Sequence, residues 1–279
     1  RIAPGYVTVI LACAILLGFT SSLSWSEYVT DPGLWRYLAA NLVFLNFVAP
    51  SLPGVFDGNI IHAVNGALWT LKIEVAFYVA VPICVWLFAR LGRDRTMIAI
   101  YIASVIYAAI MLRLSVAWNR PGFIELSRQL PGQMSYFMAG AAIYYHFDRF
   151  RARPLLILAA GVLIFVLSSY VLTLPLRPIG LALCVMSIAF GPYFGQFGRY
   201  GDFSYGIYIV HFPILQTLIH FGLPNHSPWI FLFTAIAVVL PAAVLMWHLV
   251  EKRFLRRDSH YRAESDGSVE ALRVGAGAS

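Results

Sequence analysis

Charge is what this sequence is shortest of. Only 12% of its 279 residues are Asp, Glu, Lys or Arg, while 60% are hydrophobic; a soluble domain carries about 25% charged residues. A chain of this length could bury a core in water. The deficit of charge, with a mean hydropathy of +0.75, instead points to lipid as the solvent of much of the chain. Cysteine is scarce as well: Cys13, Cys84 and Cys184 stand far apart inside apolar runs. That placement excludes a disulfide framework and any cysteine metal-ligand spacing, and leaves three small buried hydrophobes. Phosphate cradles of the GxxxxGK[ST] or strand–GxGxxG–helix kind are missing, and so is the GxSxG elbow of hydrolases. No HExxH or related spacing offers a metal site. The net charge of +7 does not build a nucleic-acid face, because the basic residues lie in short clusters between apolar runs. An initiator Met and a signal peptide are lacking too, so a chain opening on Arg1 reads as an excerpt or a processed product.

What is present is apolar length. A spanning helix needs about 20 mostly apolar residues. Eight stretches meet or approach that length: 4–23, 67–89, 96–117, 132–147, 154–173, 178–194, 203–222 and 229–249. Segment 37–50 (YLAANLVFLNFVAP) is too short and runs into Pro50 and Pro53, so it reads as interfacial or re-entrant. The fold class expected is an all-α polytopic membrane protein, a bundle of about eight transmembrane helices. With the N-terminus in the cytoplasm, the inner loops hold thirteen basic residues: Arg1, Arg90, Arg93, Arg95, Arg149, Arg151, Arg153, Arg199, Lys252, Arg253, Arg256, Arg257 and Arg262. The outer loops hold five, Arg36, Arg113, Arg120, Arg128 and Arg177. The positive-inside bias therefore places both termini in the cytoplasm, and an even number of spans agrees. The membrane domain is expected over 1–257, and the polar, small and charged stretch 258–279 is expected to be a disordered cytoplasmic tail. No repeat or inverted pairing of segments is visible.

Two places in the apolar runs carry groups that lipid does not tolerate alone. Within NGALWTLKIEVAFY (65–78), Glu74 lies about 10 Å along its helix at ~1.5 Å per residue. Intramembrane carboxylates face a bundle interior or a wet cavity. Glu74, Tyr78 and Pro82 fall at i, i+4 and i+8 and share a face. Lys72 sits roughly 200° around the helix from Glu74, so it is expected to snorkel to the outer interface. Glu74 then either bonds another helix or handles protons or substrate. Within GDFSYGIYIVHFPI (201–214), Ser204, Tyr208 and His211 form a polar stripe at i, i+4 and i+7. Pro213 cannot donate to the carbonyl of Ile209, so a kink beside His211 is expected. The stripe is open to two readings, a satisfied core histidine or the lining of a cavity. His62, His220 and His226 fall at the outer face, His260 in the tail, and His146 and His248 at inner helix ends.

These residues resemble the acyltransferase family 3 integral-membrane acyltransferases. NGALWTLKIEVAFYVAVP (65–82) resembles the family's NGxLWTLxxExxFYxxxP signature, and FSYGIYIVHFPI (203–214) its ISYGIYLxHxPI segment. RIAP at 1–4 resembles an RIxP motif at the inner end of a span, YFMAGAAIYY (136–145) a looser FxxG segment, and HLVEKRFLRR (248–257) the closing element. The resemblance implies O-acylation: an acetyl or other short acyl group passes from cytoplasmic acyl-CoA, with acetyl-CoA the first choice, to a hydroxyl. The acceptor implied is a glycan, a lipid-linked saccharide or a similar molecule, and the setting a multi-pass protein of a bacterial inner membrane, in contact with lipid.

The resemblance also assigns roles. Glu74 and His211 are the expected catalytic pair, lining a transmembrane acyl-transfer cavity shaped by Trp69, Tyr78, Ser204 and Tyr205, with Arg1 binding the donor's phosphates. No metal, no bound cofactor and no nucleic acid is expected. Family members have ten spans, the first bearing an arginine and a histidine. No histidine precedes His62 here, and Arg1 falls in the motif after the second span; two spans are therefore expected upstream. Two alternatives remain: a transporter or flippase using Glu74 and His211 as a proton relay, and a catalytically inactive fragment.

Overall fold

Residues 2–151, 153–190 and 201–255 are described in the computed structural model. Along the chain run α1 (Ile2–Leu16), α2 (Trp25–Thr30), α3 (Pro32–Leu42), α4 (Trp69–Leu91), α5 (Arg93–Ala117) and α6 (Gly122–Ser127). They are followed by α7 (Leu130–Tyr145), α8 (Phe147–Arg151), α9 (Pro154–Leu167), α10 (Thr173–Ala189), α11 (Ser204–His220) and α12 (Pro228–Met246). No strand occurs among the described residues, so the fold is all-helical. Among the described residues, four helical segments are long and apolar enough to cross a bilayer: Ile2–Thr20, Gly66–Leu91, Arg93–Ala117 and Pro228–Phe254. The other expected spans correspond to α7, α9, α10 and α11, which are shorter, at 14 to 17 residues. The chain divides into two packed units, one of Arg1–Lys72 with Gln196–Ser279 and one of Ile73–Gly195.

In the first unit α1 is the most enclosed of the four long segments, with 44% of its apolar window buried. Its buried residues are Gly5, Tyr6, Val9, Ile10, Cys13 and Ala14, which recur every three to four positions and so line one face. That face packs on α3, on α11 and on the π-helical turn Trp247–Glu251 that ends α12. Two buried phenols fasten it to α2 and α3. Tyr6 Oη donates to Asn41 O at 2.8 Å, and Tyr28 Oη donates to Ala14 O at 2.7 Å. Burial pushes the Tyr28 phenol up to about 12, as desolvation disfavours the phenolate.

Segment 37–50 is neither a span nor a continuous helix. Its helical part belongs to α3, which begins earlier because Asp31 Oδ1 accepts from Gly33 N–H at 2.6 Å and Pro32 suits the first turn. After Leu42 the chain runs without regular helix to Asn65. This stretch is held by polar side chains that precede it. Asn41 Nδ2 donates to Tyr37 O and Ala49 O, both at 2.8 Å, and Ser21 Oγ donates to Pro53 O at 2.8 Å. Val55, Phe56 and Val64 are fully buried beneath it.

The second unit is a helix bundle whose contacts use small and hydroxyl side chains, the residues that let helices approach closely in lipid. Thr96, Ser104, Ala108 and Ser115 form the buried face of α5, and Ser104 Oγ accepts from Ser135 N–H of α7 at 2.9 Å. In α9 and α10, Gly161 and Gly180 sit where a side chain would meet backbone: a Cβ on Gly180 would lie 2.6 Å from Phe165 N. The expected span 154–173 stops at Leu167, where Ser168 Oγ turns back to Phe165 O at 2.6 Å. The next helix then begins at Thr173, after Leu172 in a left-handed conformation at φ 52°. Pro178 therefore lies inside α10 rather than at its start.

Candidate functional site

The richest polar arrangement in the first unit gathers where the 59–70 segment meets α11. Asn65 starts it. Its Oδ1 accepts from Ala67 N–H at 3.1 Å, capping the short 3-10 turn Gly66–Leu68 that leads into α4. Its Nδ2 donates to Ile209 O at 2.8 Å. Pro213 has no N–H to offer that carbonyl, so one buried asparagine both caps a helix and fills a gap in another. Gly66 makes the approach possible: a Cβ there would lie 2.7 Å from the Phe212 ring.

Tyr208, one turn before His211, is fixed from the same side. Its hydroxyl donates to Ala67 O at 2.6 Å and stands in close hydrogen-bond contact with Thr70 Oγ1. Thr70 Oγ1 also lies 3.4 Å from Ala67 O, so both hydroxyls converge on that one carbonyl. Two further amides tie the C-terminal half of α11 to the same segment. Asn59 Nδ2 donates to Gln216 O at 3.0 Å, and Gln216 Nε2 donates to Ala63 O at 3.0 Å and to Ile61 O.

His211 itself is half-buried. Its Nδ1 lies 2.8 Å from Tyr208 O and 3.1 Å from Ile207 O. Carbonyls only accept, so Nδ1 carries the proton, and in the neutral ring Nε2 holds the lone pair. Nε2 has no hydrogen-bond partner among the described residues. The arrangement presents a base, or an acceptor of a substrate proton, whose tautomer is set by its own helix.

The other expected site residues are placed as follows. Ser204 is exposed at the first position of α11, where its N–H and Oγ both bond Asp202 Oδ1. It lies one turn before Tyr208 on the same helix. Tyr205 Oη donates to Ile2 O at 2.8 Å, joining α11 to α1, and its ring lies against Gly5. Trp69 is 39% exposed at the first turn of α4. Lys72 places its Nζ 4.5 Å from the centroid of the Phe47 ring, a cation–π contact. Arg1 lies outside the described residues, as does the 258–279 tail.

Glu74 and Tyr78 belong to the second unit. Tyr78 Oη donates to Glu74 Oε1 at 3.5 Å, the one-turn spacing expected, and both side chains are exposed. The same unit carries an apolar groove of about 450 Å³ between α4 and α7, lined by Val81, Cys84, Phe88, Phe137 and Tyr144 among others. At one end of this unit His146 Nε2 meets Asp94 Oδ1 at 3.4 Å, and Arg93 lies over Tyr145. No group of three or more His, Cys, Asp or Glu converges as a metal site among the described residues.

Asn65 and Thr70 fall inside the first signature segment, and Asn59 and Gln216 outside both segments; none of the four carries a role that composition or spacing displays. A signal for Asn65 was present. A proline inside a helix orphans the carbonyl four residues back, and a buried carbonyl requires a donor from elsewhere.

A helical membrane protein with a tautomer-fixed histidine on a proline-containing helix is the class this geometry defines. Comparison with known proteins narrows it. A profile described as an acyltransferase domain, that of acyltransferase family 3, matches residues 1–248. The chain belongs to that family and is an acyltransferase that transfers groups other than aminoacyl. An O-acetyl transferase of Shigella phage Sf6 is 27% identical over 273 residues, covering 93% of this chain and 76% of the phage protein. No solved structure matches.

Proposed function

We propose that this acyltransferase moves an acetyl group, or another short acyl group, from acyl-CoA on the cytoplasmic side to a hydroxyl of a glycan or lipid-linked saccharide. The observation that carries the reading is the open Nε2 of His211, held as the unprotonated nitrogen by the two carbonyls on Nδ1. The similarity to an O-acetyl transferase favours acetyl and a hydroxyl acceptor. In the transfer the acceptor oxygen attacks the thioester carbonyl. A C–O bond forms, the C–S bond breaks, and the hydroxyl proton passes to His211 Nε2 and then to the departing thiolate of coenzyme A. Arg1 is assigned to the donor's phosphates, Glu74 to proton handling, and Trp69 and Tyr78 to substrate contact. Ser204 and Tyr205 support α11 through the bonds given above.

The membrane arrangement we propose has eight spans in a bacterial inner membrane, with the basic loops and both chain ends cytoplasmic. The test is reconstitution in vesicles with labelled acetyl-CoA and membrane glycan. Coenzyme A release matched by label in an alkali-labile ester on the glycan is expected. Solute uptake without loss of thioester would contradict the reading and favour a transporter.

A further inference from the structure

Beyond the histidine itself, the asparagine that opens the first family signature stands out. Asn65 is 7% exposed and has both ends of its amide committed. One end caps the turn into α4. The other occupies the carbonyl that Pro213 leaves without a donor. Ile209 lies in the turn of α11 whose neighbouring carbonyls, Ile207 and Tyr208, hold the His211 Nδ1 proton.

From this geometry we infer that Asn65 is a positioning residue for His211: by satisfying Ile209 O, it fixes the turn that Pro213 leaves one backbone bond short in the form that keeps the proton on Nδ1 and presents Nε2. This rests on the reading of His211 as the base. A helix turn with an unsatisfied buried carbonyl relaxes until it finds a donor, since the alternative costs the full desolvation of that group. Within reach of Ile209 O that donor is the Asn65 amide. If the amide no longer donates, the 207–211 turn shifts, its two carbonyls lose their common aim at Nδ1, and the ring is free to take the other tautomer.

The discriminating variant is Asn65→Asp. It keeps the acceptor oxygen for Ala67 N–H, preserving the cap, but its carboxylate cannot donate to Ile209 O. The primary readout is the tautomer, by nitrogen NMR of ¹⁵N-histidine-labelled protein in lipid, with the His211 signal assigned by its loss in His211→Ala. Wild type is expected to show His211 protonated at Nδ1, and Asn65→Asp to shift it toward the Nε2-protonated form. Turnover of acetyl-CoA measured alongside is expected to fall about 100-fold in kcat, the size of a ~1 Å misplacement, with KM for acetyl-CoA unchanged. Adding Pro213→Ala restores a backbone donor to Ile209 O within α11. The double variant Asn65→Asp/Pro213→Ala is therefore expected to regain the Nδ1 tautomer and the rate of Pro213→Ala alone.

An unchanged His211 signal in Asn65→Asp would overturn the inference, as would equal damage with and without Pro213→Ala. A shifted tautomer with full turnover would leave the inference standing and sink the catalytic reading of His211. If Asn65→Asp does not insert, comparing Pro213→Ala with the double variant decides the question. A loss of signal or rate between those two overturns the proposal.

Discussion

At the scale of single residues, two kinds of group order the first unit: buried amides that donate to backbone carbonyls, and glycines that admit a ring. Gly66 shows the second kind. Its Cα faces Phe212, the neighbour of His211, and a Cβ would lie 2.7 Å from that ring. Gly66→Ala is therefore expected to cost about 1–3 kcal/mol, as overpacking does. The loss should appear as a lower unfolding temperature in detergent, and an unchanged temperature would show that Phe212 swings away freely. The sequence displayed the charged exceptions clearly: Glu74 and Tyr78 do bond across one turn, at 3.5 Å. It concealed the neutral polar ones. Asn59, Asn65 and Gln216 look ordinary in a chain, and their importance comes from which backbone carbonyls tertiary packing leaves unpaired.

At the scale of elements, α2 shows how a helix start is set by its own side chains. Ser24 and Glu27 form a capping box at α2, each bonded to the other's backbone. The Ser24 hydroxyl, and then its N–H, hold the Glu27 carboxyl below the usual range. A carboxyl lowered in the folded state stabilises above its unfolded pKa, and loses that contribution as pH falls through the folded value. Hydrogen exchange of the 24–30 amides, taken relative to its intrinsic rate at each pH, should accordingly speed up on acidification below the ordinary carboxylate range. Ser24→Ala should speed it about fivefold at neutral pH, the size of a lost N-cap, and leave little further pH effect. Unchanged protection in the variant would contradict the cap. Helix faces were hidden because α9 and α12 are apolar all round, so periodicity marks no buried side. Gly161, Gly180 and Ser104 choose the contact by size and by a single hydroxyl, signals too weak to read against a uniformly apolar background. The displaced boundaries of α9 and α10 have a local cause as well: a left-handed Leu172 and a proline tolerated inside a helix.

For the whole molecule, composition alone determined that the solvent is lipid and the architecture helical, and two signature segments were enough to place the family. The proposed orientation follows from the thirteen-to-five asymmetry of basic residues, and single-cysteine labelling checks it. With Cys13, Cys84 and Cys184 replaced, Arg95→Cys should react with an impermeant maleimide only from the cytoplasmic side and Asp57→Cys only from the opposite side. Labelling of both from one side would invert or reject the topology. The central claim, however, concerns chemistry at one imidazole. Its most direct measurement is the rate at which label passes from acetyl-CoA into membrane glycan in vesicles holding equal amounts of correctly inserted wild-type and His211→Ala protein. The account predicts a loss on the order of 100-fold to 10,000-fold, the range for a removed general base. A His211→Ala protein that transfers acetyl at the wild-type rate would contradict it.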